Sequence, residues 1–235
     1  MQLFYTPEIK PDDKQVIFDK EESRHIIKVL RKKEGDSLHL TNGKGYFFEA
    51  TLASSNPKQC LAIINTSEKQ EPLPYKLHLA VAPTKLNDRY EWFLEKATEI
   101  GVTEITPIIC DHSERKVIKP ERYEKIIASA AKQSLKAYIP ILNEAISFTA
   151  FIESEKDTDY KYIAHCEETD KKSLKNVLKK KQDLLIMIGP EGDFSTNEIE
   201  IALSAGCVPV SLGNSRLRTE TAAIAACHSV AFINE

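Results

Sequence analysis

From about residue 76 onward the chain alternates short apolar runs with longer stretches whose apolar residues recur every three or four positions, and no other feature constrains its architecture as tightly. Strands separated by helices cannot pair as tight hairpins. They pair in parallel and need covered faces, which predicts an α/β domain built on a parallel sheet. Strands are expected at 77–82, 105–110, 162–166, 184–188 and 208–212. A helix at 88–100 has Tyr90, Phe93, Leu94, Ala97 and Ile100 at helical spacing and is closed by Gly101. A second is opened by Pro120, with Tyr123, Ile126, Ile127, Ala130 and Ser134 on one face. A lysine-rich helix follows the 162–166 strand, and another is opened by Ser195 with Glu198 at the capping-box position. The last helix, from about 219 to 233, has no charge between Thr221 and Asn234, so it is expected to be buried, in the domain or against another subunit. His228 within it is expected to be a core histidine rather than a base.

Before residue 70 the pattern differs. Runs at 3–5, 15–18, 37–40, 46–52 and 60–64 surround one helical segment carrying Ile26, Ile27 and Leu30, with Asp19 and Glu22 at capping-box spacing. Asn42-Gly43-Lys44-Gly45 between two runs reads as a hairpin turn. The stretch 66–75, TSEKQEPLPY, is the best linker candidate. A small β-rich, barrel-like domain at 1–70 and an α/β domain at 74–235 are therefore expected, and 235 residues suffice for both.

Composition narrows the function classes. No run approaches the roughly 18 apolar residues of a membrane span, and the start lacks a basic segment followed by an apolar one, so a cytoplasmic protein without membrane association is expected. Five cysteines are widely spaced with no C-x-x-C, and six histidines are scattered, so no disulfide framework and no metal is expected. Eight glycines form neither G-x-G-x-x-G nor a P-loop, and no G-x-S-x-G or H-E-x-x-H occurs. The net charge of −3 hides two basic patches: five basic residues and no acid over 24–33, and six lysines and no acid over 171–181. Either patch suits phosphate contacts or a solvated helix face.

Two segments directly after strands stand out. In the first, Leu184–Ile188 runs into Gly189-Pro190-Glu191-Gly192, a tight turn whose glycines admit close backbone approach and positive φ. In the second, a strand ends in Leu212-Gly213, a loop carries Arg216 and Arg218, and Thr219-Glu220-Thr221 opens the last helix. Ligands of open α/β sheets bind at the carboxyl ends of strands. Arginines at a helix start oppose the helix dipole unless an anion is present, or unless Arg218 pairs with Glu191 or Glu220.

The order GPEG-x-F-S-x-x-E, then LG-x-x-x-LRTETA, together with EWFLEKATEIGVTEITP at 91–107 and RHIIKVLRKKEG at 24–35, resembles the RsmE family of 16S rRNA uridine N3-methyltransferases over nearly the whole chain. The resemblance implies a PUA-like N-terminal barrel domain and a SPOUT-type parallel-sheet domain with a C-terminal trefoil knot. It implies S-adenosyl-L-methionine as cofactor, 16S rRNA within the small ribosomal subunit as partner, and a homodimer. The cofactor would sit on His165 or Cys166, on Ile188, Gly189, Pro190, Glu191 and Gly192, and on Leu212, Gly213, Leu217, Arg218, Thr221 and Ala222. RNA would fall to Arg24, Lys28, Arg31, Lys32, Arg115, Gln133 and Lys136. Many members carry Gln-Ser-Gly-Arg where this chain has Gln133-Ser134-Leu135-Lys136, so a contact made by that arginine would weaken or pass to Lys136. Methyl transfer to uridine N3 requires loss of an imino proton. Arg218 is expected to stabilise the developing uridinate, with Glu220 as the base or as the group that orients Arg218. A methyltransferase of the same class acting on another RNA would keep these motifs; a noncatalytic RNA-binding protein would not need them.

Overall fold

The computed structural model describes residues 2–155, 158, 160–168 and 170–235. Residue contacts divide the chain into two units, Met1–Pro72 with Ala131–Ile139, and Leu73–Ala130 with Pro140–Glu235.

The first unit is a five-stranded sheet of β1 (Leu3–Tyr5), β2 (Gln15–Ile17), β3 (Ser37–Thr41), β4 (Tyr46–Ser54) and β5 (Leu61–Lys69), in the order β1-β3-β4-β5-β2. β1 and β3 are parallel and the other pairs antiparallel. The inward residues Phe4, Phe18, Ile26, Leu38, Leu40, Phe48 and Leu52 form its core. The strand β5 runs through Lys69, so the linker expected from residue 66 begins later. Its last residues are solvent-exposed on both faces, yet their backbone pairs with Tyr46–Glu49, and side-chain polarity alone gives no sign of that pairing. The helix between β2 and β3 also departs from expectation. After α1 (Lys20–Arg24), capped by Asp19 accepting from Glu22 N at 2.8 Å, the chain widens into a π-type turn at His25–Val29, where Leu30 N donates to His25 O at 3.0 Å. Arg31 then takes a left-handed φ of 55°. Segment 131–139 joins this unit through backbone bonds to the β3–β4 turn, Gly45 N to Ala137 O at 2.9 Å and Ile139 N to Gly43 O at 3.0 Å. Gly45, at φ 98°, leaves room for the Tyr138 ring, which would lie 2.4 Å from a Cβ there.

The second unit contains β6 (Leu77–Val81), α2 (Asn87–Ile100), β7 (Glu104–Ile109), α3 (Pro120–Gln133, whose last residues fall in the first unit), β8 (Ile141–Leu142), β9 (Ile146–Ser147), α4 (Phe148–Ser154), β10 (Tyr160–Ala164), β11 (Lys172–Ser173), α5 (Leu174–Val177), β12 (Leu184–Ile188), α6 (Thr196–Ser204), β13 (Val208–Ser211) and α7 (Thr219–Asn234). The sheet order is β11-β13-β10-β12-β6-β7-β8, with β9 also pairing β7, and every pair is parallel. All five residues of β6 and of β12 are buried, as helices on both faces of a parallel sheet require. The expected lysine-rich helix is only the single turn α5 between a short strand and a turn. Leu174 and Leu178 are its buried anchors, and the lysines around them present no apolar face long enough to pack a longer helix. Helix α7 is half buried rather than wholly so. Ala223, Ala226, Cys227 and Val230 are buried and α7 packs along α2, while His228 and Phe232 are exposed, so His228 is not a core histidine.

Candidate functional site

Three strand ends of the second unit converge. β12 ends in the Gly189–Gly192 turn, and its left-handed residue is Asp193 at φ 64°; neither Gly189 nor Gly192 has positive φ. Aspartate tolerates that conformation because its carboxylate bonds locally. Here Oδ1 accepts from Phe194 N at 2.9 Å and Oδ2 from Cys166 N at 2.6 Å, tying the turn to the end of β10. The glycines serve packing: a Cβ at Gly189 would meet the Phe194 ring and backbone N at 3.1 Å, and one at Gly192 would meet His112 Cβ at 3.0 Å. Thr219 Oγ1 donates to Gly189 O at 3.0 Å, fixing the start of α7 to the same turn. α6 follows with a complete capping box between Ser195 and Glu198.

His165 and Cys166 end β10. His165 is 7% exposed, and among the described residues neither ring nitrogen has a hydrogen-bond partner. Its pKa is lowered from 6.5, first by burial and then by the Lys171 ammonium, so the neutral form prevails at pH 7. Lys171 Nζ donates to His165 O at 3.0 Å. At the end of β13, Ser211 Oγ donates to Gly213 O at 3.0 Å, and Gly213 has φ 138°.

A cavity of about 490 Å³ is lined by His165, Lys171, Leu212, Gly213 and Leu217. One of about 470 Å³ is lined by Ile188–Asp193 and Arg216–Thr219. Ala164, Cys166, Arg216, Leu217 and Ala222 line both. The structure thus brings together His165, Ile188, Gly189, Pro190, Glu191, Gly192, Leu212, Gly213, Leu217, Arg218 and Ala222. Glu220 and Thr221 face a different cleft, of about 710 Å³, with Arg89, Trp92, Arg216 and Arg218.

The anticipated pairing of Arg218 with Glu191 or Glu220 does not form. Glu191 Oε1 accepts from Lys85 N at 2.9 Å, and Glu220 Oε1 lies 3.9 Å from Arg89 Nε. Among the described residues, the exposed Arg218 side chain makes no ion pair, although it lines one cavity with Glu191 and another with Glu220. Arg89 precedes the segment EWFLEKATEIGVTEITP and Trp92 lies within it, but neither shows a site role in the sequence: α2 reads as an amphipathic core helix, and their neighbourhood depends on a loop over a hundred residues later.

Of the expected RNA-binding residues, Arg24, Lys28, Arg31 and Gln133 are exposed and Lys136 is half-buried. Lys32 Nζ donates to Ser37 O at 3.2 Å. Arg115 is engaged internally, with Nε donating to Thr84 O at 3.0 Å and Nη2 to Lys85 O at 2.8 Å. Among the described residues, no group of three or more His, Cys, Asp or Glu could hold a metal, and no helix is long and apolar enough to cross a membrane.

The RNA methyltransferase domain family matches residues 71–231, and the RNA methyltransferase PUA domain family matches residues 18–65. Ribosomal RNA small subunit methyltransferase E of Bacillus subtilis is 32% identical over 230 residues, covering 92% of this chain and 89% of its own. A probable rRNA-methyltransferase from Porphyromonas gingivalis has a solved structure with TM-score 0.92 and 43% identity, covering 100% of this chain and 98% of its own. The ribosomal RNA small subunit methyltransferase E of Neisseria gonorrhoeae, solved with bound S-adenosyl methionine, superposes with TM-score 0.89 at 27% identity, over 100% of this chain and 98% of its own.

Proposed function

The chain belongs to the RNA methyltransferase family of ribosomal RNA small subunit methyltransferase E, and on that premise we propose that it methylates N3 of one specific uridine of 16S rRNA. It is an S-adenosylmethionine-dependent rRNA methyltransferase. The observation that carries the site assignment is the convergence of His165, the 188–193 turn and the 212–218 loop on shared lining residues.

The cavities fit the cofactor chemically. Ile188, Leu212, Leu217 and Ala222 offer apolar wall, and the unpartnered His165 nitrogens offer one hydrogen-bond donor and one acceptor to a polar group. When bound, S-adenosylmethionine supplies an electrophilic methyl group on sulfonium. The chain's residues then have two tasks. Arg218, without an ion-pair partner among the described residues, lies against the uracil and stabilises the negative charge that develops as N3–H is lost. Glu220 Oε2, buried and without a hydrogen-bond partner, is an acceptor available for that proton. Outside the cofactor cavities, Arg24, Lys28 and Arg31 supply phosphate contacts, with Lys32, Gln133 and Lys136 beside them in the same unit. Arg115 serves by bracing the 84–85 backbone beside Glu191.

Three further assignments accompany this function: a trefoil knot formed by the 189–195 and 212–218 loops, cytoplasmic location with the rRNA, and a homodimer that buries the outer face of α7. The test is methylation of 16S rRNA by the purified protein, with nucleoside mass spectrometry of the product. Arg218→Ala should lower saturated turnover by roughly 10²–10³-fold with cofactor affinity much less affected. A variant that only raises the RNA concentration for half-maximal rate would make Arg218 a binding residue.

A further inference from the structure

The cleft between the first turns of α2 and the start of α7 holds features that the cofactor cavities do not explain. Trp92, the one tryptophan of the chain, is 46% exposed there. Glu220 is only 6% exposed, yet among the described residues its Oε2 has no hydrogen-bond partner, a costly state for a buried carboxylate unless something else donates to it. Arg216 and Arg218 reach the same cleft from the loop, both exposed and, among the described residues, without an ion pair. Arg89 stands on the opposite wall, 3.9 Å from Glu220 Oε1. An open aromatic face, an orphaned acceptor and two uncommitted guanidinium groups are the complement of a nucleotide: a ring to stack, an N–H to accept and phosphates to neutralise.

Resting on the function proposed above, we propose that this cleft takes the target uridine itself, turned out of its stack, with Trp92 as the platform for the uracil ring and Arg89 as the positioning residue of Glu220. N3 lies on the Watson–Crick edge, where pairing and stacking hide it, so methylation there needs an unpaired, extruded base. The cleft volume of about 710 Å³ is within the range of small-molecule sites. Arg216 holds a flanking phosphate, Arg218 lies against the uracil as in the function proposed above, and Glu220 Oε2 accepts from uracil N3–H. Base stacking on Trp92 also accounts for a large aromatic left half in water on an otherwise amphipathic helix. The last turns of α7, where the contact with a second subunit is assigned, lie away from the cleft: Phe232 is twelve residues beyond Glu220, about 18 Å along the helix.

Because Trp92 is unique, its fluorescence reports on this cleft alone. The full-length protein is titrated with a single-stranded uridine oligoribonucleotide and with an abasic oligomer of equal length, binding being scored independently by anisotropy of an end label. Stacking predicts quenching by the uridine oligomer and none by the abasic one at equal occupancy. Trp92→Ala should weaken RNA affinity by roughly 5- to 150-fold, the range for one lost aromatic–base stack, with S-adenosylmethionine affinity unchanged, and Trp92→Phe should restore most of the loss. Equal quenching by both oligomers, or a change in Trp92 emission with protein concentration alone, would overturn the proposal, the latter because a second copy would then cover the ring. If the wild-type protein fails to methylate 16S rRNA while the uridine-specific quenching persists, the function falls and the cleft stands. If it methylates and Trp92→Ala behaves as wild type, the cleft falls and the function stands.

Discussion

His165 and His78 are both buried and both held below their ordinary pKa of 6.5. Burial is the main cause in each; Lys171 adds to it at His165, whereas Glu104 and Glu155 oppose it at His78, whose Nε2 lies 2.7 Å from Thr106 Oγ1. A histidine with a lowered folded-state pKa binds fewer protons folded than unfolded, so its stabilising contribution is complete above about 6.5 and is lost as the pH falls through the folded-state value. The midpoint of thermal unfolding should therefore drop as the pH falls below about 6.5, and replacing both histidines by Asn should flatten that slope. An equally steep profile in the double variant would assign the acid sensitivity to other groups. Gly189 makes a different point. A side chain there meets buried Phe194 at 3.1 Å, so Gly189→Val should cost about 1–3 kcal/mol of stability, read as a lowered melting temperature, before any effect on cofactor binding can be isolated. The Ser195–Glu198 box is legible in sequence because its partners are three residues apart. The left-handed Asp193 is not, because what holds it there is Cys166 N, 27 residues away.

At the scale of elements, the basic segment 24–33 is the instructive case. Its periodicity puts Arg24, Lys28 and Arg31 on one α-helical face, but the chain leaves α-geometry after Arg24, and Arg31 lies beyond the helix at φ 55°. Buried Ile26 and half-buried Ile27 and Leu30 supply the apolar signal either way, and a hydrogen bond spanning five residues instead of four leaves no mark on composition. The three cations are exposed nonetheless, without sharing one helical face. Arg24→Ala and Arg31→Ala should each weaken RNA binding and reduce the slope of log affinity against log salt by about one, with saturated turnover mostly spared. A change in turnover without a change in salt slope would remove these residues from the phosphate contacts. Helices α2 and α6 were legible because each has a cap or terminator and an apolar stripe, and α7 because its run carries no charge from Thr221 to Asn234. The single turn α5 and the two-residue strands β8, β9 and β11 were not, since runs that short have no period.

Across the whole molecule, the two cavities at the strand ends draw on residues far apart in the chain, and only their position after strands hinted that they would meet. Periodicity locates β10, β12 and β13 but says nothing of their order in the sheet, where β10 lies between the two strands whose loops line these cavities. Nor does it assign 131–139 to the first unit, which depends on backbone bonds to a turn more than eighty residues earlier. The uncharged run of α7 carried a further ambiguity, since burial in the domain and burial against a second subunit predict the same sequence. Its inner face, Ala223, Ala226, Cys227 and Val230, is used within the chain. On the outer face Phe232 remains 67% exposed, with Phe232 and His228 ring centroids 5.9 Å apart. A closed two-fold interface covers such a face on both copies at once, and a stable one buries more than about 1,000 Å² in total. Sedimentation at micromolar concentration should accordingly give about twice the 26.5 kDa chain mass, and Phe232→Asp should return the single-chain mass by forcing a carboxylate into the contact. Wild-type protein sedimenting as a single chain would leave the outer face of α7 to solvent and restrict the apolar run to its role against α2.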